Sequence, residues 1–141
     1  MVAGHETTSV ALAWTLYEMA KNPVIQEKVR AEINALLCEG NELTWDTVED
    51  LKYLENVTKE SLRLHPPAHL TGRTPISDEI IGGYLIPKGV DVLLPIDSLQ
   101  HGTRYWQNPD EFYPERFNEK GIRFCKFVGL VTFSTYTFLP Q

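Results

Sequence analysis

The sequence contains few cysteines and few basic residues, and both shortages limit what the protein can be. Cys38 and Cys125 are the only cysteines among 141 residues, and they do not form a CxxC pair. This low cysteine content is compatible with a protein of a reducing compartment and differs from that of a disulfide-dense scaffold. Thirteen basic residues stand against nineteen acidic ones, for a formal net charge of −6. Since binding of phosphates needs a basic face, this balance argues against a generic nucleic-acid binder.

Long apolar runs are also lacking. No segment reaches the roughly 18 consecutive apolar residues of a membrane-spanning helix. Met1 leads straight into Val-Ala-Gly-His-Glu, without the basic and apolar regions of a signal peptide. We therefore expect no membrane segment in this chain. Residues 127–141 are uncharged but rich in threonine, which favours β-prone or irregular chain. The composition, 43% hydrophobic and 23% charged, is that of one ordinary globular domain.

Hydrophobic periodicity predicts two consecutive helices at the start of the chain. The first covers residues 1–20. The second begins after Asn22, a predicted N-cap, with Pro23 at its first helical position. Lys28 and Glu32, four residues apart, are expected to pair on its polar side. Its apolar face is predicted to consist of Ile25, Val29, Ile33, Leu36 and Leu37.

Two further helices are predicted before the sequence changes character. Gly40 should end the second helix, and Thr44 should cap a short helix that reaches Leu51. A longer helix should cover residues 53–64. It must end at Pro66-Pro67, because proline removes a backbone donor and disfavours helical geometry in the preceding residue.

Beyond residue 67 the sequence favours short strands. The β-prone runs are Ile80-Ile81, residues 84–86 and residues 90–94, with turn signals at Gly82-Gly83 and residues 87–89. Residues 97–114 are predicted to be mostly irregular. The fold class expected from this order is mainly α with a small β meander, that is α+β.

The polar residues near the start of the chain allow two interpretations. By spacing alone, they form a helix start with solvated polar side chains. The second interpretation depends on Gly4, which would let the helix open locally so that Thr7 could hydrogen-bond a carbonyl group or a water molecule. Beside such an opening, the carboxylate of Glu6 could relay protons.

Two further segments carry charged residues at suggestive spacing. Glu60 and Arg63 share a helix face, but periodicity places that face opposite Val57. Periodicity alone therefore predicts an exposed ion pair worth about 0.3–0.5 kcal/mol. Arg116 follows Pro114-Glu115 in an aromatic-rich stretch and could bind a buried carboxylate with both arms of its guanidinium. The sequence does not identify that carboxylate.

Taken together and in this order, the segments resemble the cytochrome P450 family. Residues 3–8 look like the oxygen-activation stretch of its long central helix. Residues 60–63 match its ExxR signature, residues 114–117 match its PERF-type signature, and the run 84–94 is typical of it. The resemblance covers nearly the whole chain. It implies that residues 1–141 are a fragment of a single domain with a partial cytochrome P450 fold, and that residues 124–141 fit the family poorly.

The resemblance implies roles for the residues near the haem. Glu6 would be the acid of a proton-delivery pair, and Thr7 the alcohol beside the oxygen-binding position. Ala3 and Gly4 would form a wall over the haem face, and Arg73 would bind a haem propionate. The residues expected to line the substrate pocket are Ala68, His69, Leu70, Thr71 and Gly72.

The resemblance also implies a structural triad of Glu60, Arg63 and Arg116. These residues would be buried, with the PERF segment as their cover, which replaces the exposed pair that periodicity predicts. No metal ligand is expected among the histidines, since Pro66-Pro67 prevents the helix that would align His65 with His69.

The axial cysteine of the family is expected to be absent. Its iron-binding loop has a Phe followed by Gly-x-Arg-x-Cys, whereas this chain reaches residues 138–140 and ends at Gln141. Cys125 lacks the glycine turn and is not expected to replace that ligand. The implied function is that of a fragment, inactive alone, of a haem-dependent monooxygenase.

The parent protein would use O2, an apolar small-molecule substrate and electrons from a reductase. If eukaryotic, it would lie on the cytoplasmic face of the endoplasmic reticulum membrane. Two alternatives remain at this point. The chain could be a truncated, non-catalytic paralogue that acts as an interaction module, or an unrelated helical scaffold with accidental motifs.

Overall fold

The computed structural model describes residues 2–37 and 44–118. Four helices precede two small antiparallel sheets, and a fifth helix follows the last strand. The helices are α1 (Val2–Lys21), α2 (Pro23–Leu37), α3 (Trp45–Glu49), α4 (Lys52–Leu64) and α5 (Ile96–Gln100), and the strands are β1 (Leu70–Arg73), β2 (Glu79–Ile81), β3 (Tyr84–Ile86) and β4 (Val92–Pro95). A final 3-10 helix covers Pro114–Asn118. The predicted class, mainly α with a small β part, is confirmed. The predictions for Gly40, Cys38, Cys125 and residues 124–141 lie outside the described residues.

The junction between α1 and α2 differs from the predicted N-cap in one respect. The backbone carbonyl of Asn22 accepts from Gln26 N at 3.1 Å, and Pro23 is the first residue of α2, as predicted. The Asn22 side chain, however, binds the end of α1. Its Nδ2 donates to Glu18 O at 2.8 Å and to Glu18 Oε2 at 3.3 Å. Asn22 therefore joins the two helices rather than capping the second with its side chain.

The predicted pair between Lys28 and Glu32 is wrong. Glu32 instead accepts from the backbone N–H groups of Tyr53 and Leu54, at 2.7 and 3.0 Å. Those groups belong to the first turn of α4, where N–H groups have no partner within the helix. A carboxylate at a helix N-terminus is favoured by hydrogen bonding and by the helix dipole. Lys28 binds Glu115, far along the chain.

The short helix α3 begins as predicted. Thr44 Oγ1 accepts from Thr47 N at 3.3 Å, and Thr47 Oγ1 accepts from Thr44 N at 2.8 Å. This reciprocal pair is a capping box, here closed by a threonine in place of the usual acidic or amide side chain. The predicted cap at Thr44 is confirmed.

The sheets contain one strand that periodicity did not predict. β1 pairs with β4 in antiparallel register, with Leu70 opposite Pro95 and Arg73 opposite Val92. β2 and β3 form a hairpin closed by Gly82 and Gly83, whose φ values of 59° and 88° suit a two-residue turn. The predicted irregular stretch 97–114 also contains part of α5.

Helix α4 lies at the centre of the described structure, with α1, α2, α5 and the 3-10 helix packed around it. The buried apolar residues are Val29, Leu51, Val57, Leu64, Ile96 and Trp106. Many other large apolar side chains are exposed on α1 and on the β2–β3 hairpin, including Leu16, Ile80 and Tyr84. Within the described ranges, no helix combines the length and the apolar character that crossing a membrane requires.

We predict that the substitution Glu32→Ala destabilises the chain by about 1–2 kcal/mol, since two N–H groups at the start of α4 lose their acceptor. The free energy of unfolding in urea measures this effect. The control is Glu27→Ala on the same helix, where an exposed pair with Arg30 contributes little and the expected change is within about 0.5 kcal/mol. Equal effects of the two substitutions would refute the capping role of Glu32.

Candidate functional site

The centre of the site is a pair of charged side chains on α4. Glu60 and Arg63 are 0% and 2% exposed. Arg63 Nε donates to Glu60 Oε2 and Arg63 Nη2 donates to Glu60 Oε1, both at 2.9 Å. The spacing of three residues places both groups on one face of the helix, and the planar guanidinium matches the carboxylate with two parallel hydrogen bonds.

A second guanidinium reaches the same carboxylate from a distant part of the chain. Arg116, in the 3-10 helix, donates from Nε to Glu60 Oε1 at 2.9 Å and is 7% exposed. The backbone N–H of Tyr113 donates to the same oxygen at 3.0 Å. The structure therefore brings the three residues Glu60, Arg63 and Arg116 together around one buried carboxylate.

The remaining N–H groups of Arg63 and Arg116 donate to backbone carbonyl oxygens. Arg63 Nη1 donates to Gln100 O at 2.8 Å, and Arg116 Nη1 donates to Gln107 O at 2.9 Å. Arg63 Nη2 and Arg116 Nη2 both reach Glu111 O at 3.2 Å. These carbonyl dipoles matter because two cations share one anion, and buried charge is costly unless it is hydrogen-bonded.

Residues 106–111 form the cover that sequence periodicity did not reveal. Trp106 is 7% exposed, and its ring lies 5.0 Å from the Arg63 guanidinium and 5.8 Å from that of Arg116. Asn108 adopts a φ of 47°, and its carbonyl oxygen accepts from Arg116 Nη2 at 3.2 Å. Asparagine tolerates this left-handed conformation better than most residues. The exposed ion pair predicted from periodicity alone is therefore wrong, because distant chain covers that face of α4.

A second network, which sequence reasoning missed, flanks the buried one. The carboxylate of Glu115 accepts from Lys28 Nζ at 2.5 Å and from Tyr53 Oη at 3.1 Å. The Lys28 ammonium also lies 5.4 Å from the Tyr53 ring centre. Glu115 and Arg116 are adjacent in the 3-10 helix. Glu115 binds Lys28 of α2 and Tyr53 of α4 near the surface, whereas Arg116 binds the buried carboxylate of α4. No local pattern identifies a partner 87 residues away.

This network shifts the pKa of each member. Burial acts to raise the pKa of Glu115, but hydrogen bonds from Lys28, from its own backbone and from Tyr53 outweigh it, and the pKa lies below its ordinary value. The hydrogen bond to Glu115 raises the pKa of Lys28. Burial, together with the neighbouring carboxylate, raises the pKa of Tyr53.

The residues predicted on α1 lie near its beginning. Glu6 is exposed and Thr7 is half-buried. Helix α1 continues without a break from Val2 to Lys21, so the local opening predicted at Gly4 is not observed. A Cβ atom added to Gly4 would meet nothing within 4 Å. The side chain of Ala3 lies outside the described residues.

The predicted pocket residues lie at the start of the sheet region. Ala68, His69, Leu70 and Gly72 are exposed, and Thr71 is half-buried. Arg73 is exposed at the end of β1, and its Nη1 donates to Gly72 O at 2.7 Å and to Thr71 Oγ1 at 3.2 Å. No carboxylate in the described part of the chain forms an ion pair with Arg73. Its guanidinium therefore keeps donors for an external anion.

Comparison with known proteins decides the family. The family model described as cytochrome P450 matches residues 1–135. Human cytochrome P450 3A5 is 46% identical over 118 residues, and peppermint cytochrome P450 71D15 is 38% identical over 117 residues. The matched regions cover 84% and 83% of this chain and 24% of each relative. The chain belongs to the cytochrome P450 family.

A pig relative, taurochenodeoxycholic 6 alpha-hydroxylase, is 40% identical over 119 residues, which cover 83% of this chain and 23% of that protein. This cytochrome P450 chain thus spans about a quarter of the length of the curated relatives it matches. The family assignment overturns the alternative of an unrelated helical scaffold, because a match over residues 1–135 is not accidental.

The described residues of this cytochrome P450 chain fit haem in part. Arg73 offers a guanidinium without a carboxylate partner in the described ranges, of the kind that binds a carboxylate such as a haem propionate. An axial thiolate requires a cysteine, and both cysteines lie outside the described residues. Among the residues that the structure describes, no group of three or more His, Cys, Asp or Glu side chains is arranged to hold a metal ion.

We predict that Glu60→Gln destabilises the chain by about 3–5 kcal/mol, because it leaves two buried guanidinium groups without their shared anion. Chemical unfolding followed by tryptophan fluorescence measures the loss. The matched control is Glu55→Gln on the same helix, a side chain that is 51% exposed and pairs with Lys59. It should cost about 0.5 kcal/mol or less. A loss of similar size for both substitutions would contradict the central role of Glu60.

We predict that part of the stability depends on ionisation of Glu115. A carboxyl whose folded pKa is depressed stabilises the fold above its unfolded pKa, and this contribution disappears as the pH falls through the folded pKa. The difference in unfolding free energy between the wild-type chain and Glu115→Gln should therefore be largest near about pH 6 and shrink towards zero in acid. A difference that is independent of pH would contradict this prediction.

Proposed function

We propose that this chain is part of a haem-dependent monooxygenase that inserts one oxygen atom from O2 into an apolar organic substrate, and that it is inactive alone. The proposal rests on family membership and, within the molecule, on the buried carboxylate of Glu60 held by Arg63 and Arg116. Bound haem with a thiolate ligand would supply the oxygen chemistry. The parent protein would receive its electrons from a reductase and, if eukaryotic, lie on the cytoplasmic face of the endoplasmic reticulum membrane.

Glu60, Arg63 and Arg116 have a structural role in this proposal. All three are buried, so none can contact a substrate or a redox partner directly. Their hydrogen bonds instead attach residues 107–116 to α4 and fix where the covering segment lies. A haem site needs such a rigid support, because small displacements of groups around a reacting centre are costly in rate.

Glu6 and Thr7 are proposed to move protons. The Glu6 carboxylate is exposed and can exchange a proton with solvent, and the half-buried Thr7 hydroxyl follows it on α1. A hydroxyl group both donates and accepts, so Thr7 Oγ1 can pass a proton inward from Glu6 or from a bound water molecule. Ala3 and Gly4, one turn earlier, would form the helix surface against which the haem plane rests.

Arg73 is proposed to bind a haem propionate, since its guanidinium has no carboxylate partner in the described ranges and lies at an exposed strand end. The pocket would be bordered by the five residues before it: Ala68, His69, Leu70, Thr71 and Gly72. Ala68 and His69 belong to the link from α4 to β1, and the other three belong to β1 itself. All five therefore follow closely after the helix that carries Glu60. This placement lets the buried network orient the pocket wall.

A chimeric protein tests the proposal. This chain replaces the aligned segment of human cytochrome P450 3A5, the relative of 46% identity. We expect the chimera to incorporate haem, to give the red-shifted carbon monoxide spectrum of a thiolate-ligated haem, and to oxygenate an apolar substrate. Thr7→Ala in the chimera should keep that spectrum and lower product formation by roughly tenfold or more, as loss of a proton-transfer group does.

Two comparisons make the result decisive. Thr8→Ala, the next hydroxyl on the exposed side of α1, should leave product formation within about twofold. The 141-residue chain alone, supplied with haem and carbon monoxide, should give neither the thiolate spectrum nor product. A chimera that binds haem but forms no product, or a chain that is active alone, would overturn the proposal.

A further inference from the structure

A further buried carboxylate, besides that of Glu60, lies in the last turn of α1. Glu18 is 4% exposed. Its Oε1 lies 2.8 Å from His65 Nε2, and its Oε2 accepts from Asn22 Nδ2 at 3.3 Å. An ionised carboxylate only accepts hydrogen bonds, so His65 Nε2 is the donor. Both oxygens of this buried carboxylate are therefore hydrogen-bonded, as a buried anion requires.

The ring of His65 is held on a second side by an aromatic neighbour. Trp14 stacks on it, with ring centres 3.9 Å apart and planes 9° from parallel. Trp14 and Glu18 are four residues apart on α1, so they lie on the same face of that helix. One of them contacts the face of the imidazole and the other binds its edge. Together they fix both the position and the rotation of the His65 ring against α1.

His65 is also the residue at which the chain leaves α4. It is the C-cap of that helix, and its backbone N–H donates to Ser61 O at 2.8 Å. Pro66 and Pro67 follow, and their rings fix φ and stiffen the link. Pro66 is less than 2% exposed. Because the link is short and stiff, the direction that is set at His65 is passed on to residues 68–72.

The proposed proton-transfer residues lie far from this contact. Thr7 precedes Glu18 by eleven residues, which corresponds to about 16 Å along an α-helix. A local change at Glu18 or His65 should therefore alter the start of the link more than it alters the position of the Thr7 hydroxyl. The two ends of α1 can be tested separately for this reason.

We propose that Glu18 and His65 are positioning residues for the substrate pocket. Their hydrogen bond, supported by the stack on Trp14, sets the direction in which the chain leaves α4 and so places residues 68–72. This inference rests on the proposed function, which includes that pocket. Glu18 and His65 act through the link and not by contact with the substrate. Their loss should weaken substrate binding and leave the rate of the bound complex nearly unchanged.

The test uses the chimera with human cytochrome P450 3A5. His65→Leu removes the donor and keeps much of the side-chain volume. We expect it to raise KM for the apolar substrate by about tenfold and to leave kcat within about twofold. The carbon monoxide spectrum should not change. His65→Gln keeps an N–H donor and a planar group, so it should bring KM back to within about threefold of the unmodified chimera.

A role in stability alone would give a different result. It would lower the amount of haem-containing protein in His65→Leu and leave KM of the remaining protein unchanged. That outcome, or a failure of His65→Gln to restore KM, would overturn the positioning role.

A double-substitution cycle tests whether the two residues act as one pair. Glu18→Leu should raise KM about as much as His65→Leu, and the double variant should be no worse than either, at about tenfold. The control is Glu27→Leu on α2, where the side chain is 67% exposed, and KM should stay within about twofold. Effects that multiply to about a hundredfold in the double variant would show that the residues act independently and would overturn the pair.

A measurement on the 141-residue chain separates failure of the pair from failure of the proposed function. Nuclear magnetic resonance follows solvent exchange of the His65 Nε2 proton, without haem or substrate. Glu18→Leu should accelerate this exchange by about tenfold or more, because the proton loses its acceptor. An unchanged rate would refute the pair whatever the chimera does. A chimera that forms no product before any further substitution would instead refute the proposed function.

Discussion

The carboxylate of Glu60 is the group around which the described structure is organised. It accepts from Arg63, from Arg116 and from the backbone of Tyr113, and it is completely buried. A buried anion is tolerated only when its oxygens are paired and hydrogen-bonded. The chain therefore cannot place residues 106–116 elsewhere without leaving charge uncompensated in the interior. That requirement specifies one arrangement of the cover, even if a well-packed apolar core would be equally stable.

The same short 3-10 helix takes part in two networks of different character. Arg116 points inward to α4, where dense hydrogen bonding and the ring of Trp106 surround it. Glu115 points outward to Lys28 and Tyr53, where the groups are partly exposed and hydrogen bonds outweigh burial in lowering the pKa of Glu115. The inner network determines position, whereas the outer one adds a contribution to stability that depends on pH. Together they join α2, α4 and the 3-10 helix into one unit.

Helix α4 also receives support at its beginning and its end. Glu32 on α2 accepts from the first N–H groups of α4, and Glu18 on α1 binds His65 just after its last turn. Acidic side chains from two different helices thus hold the ends of the helix that carries Glu60. This arrangement couples α1, with its proposed proton-transfer residues, to the link that leads into β1.

The sequence alone determined the family, the mainly helical class and most element boundaries. Those properties depend on local patterns, such as the prolines after α4, the cap at Thr44 and the glycine pair of the hairpin, and on signatures whose order is read directly from the chain. Apart from the triad of Glu60, Arg63 and Arg116, which the family resemblance implies, the identity of partners was decided only by the tertiary structure. Periodicity put Glu60 on an exposed face and paired Lys28 with Glu32, because helical spacing records which groups are neighbours along one helix. It does not record that residues 106–116 cover α4. Nor does it record that Lys28 pairs with Glu115 and that Glu32 binds the start of α4. Burial and pairing are properties of contacts between distant segments, and the interactions that join α2, α4 and the 3-10 helix connect residues 21 to 87 positions apart.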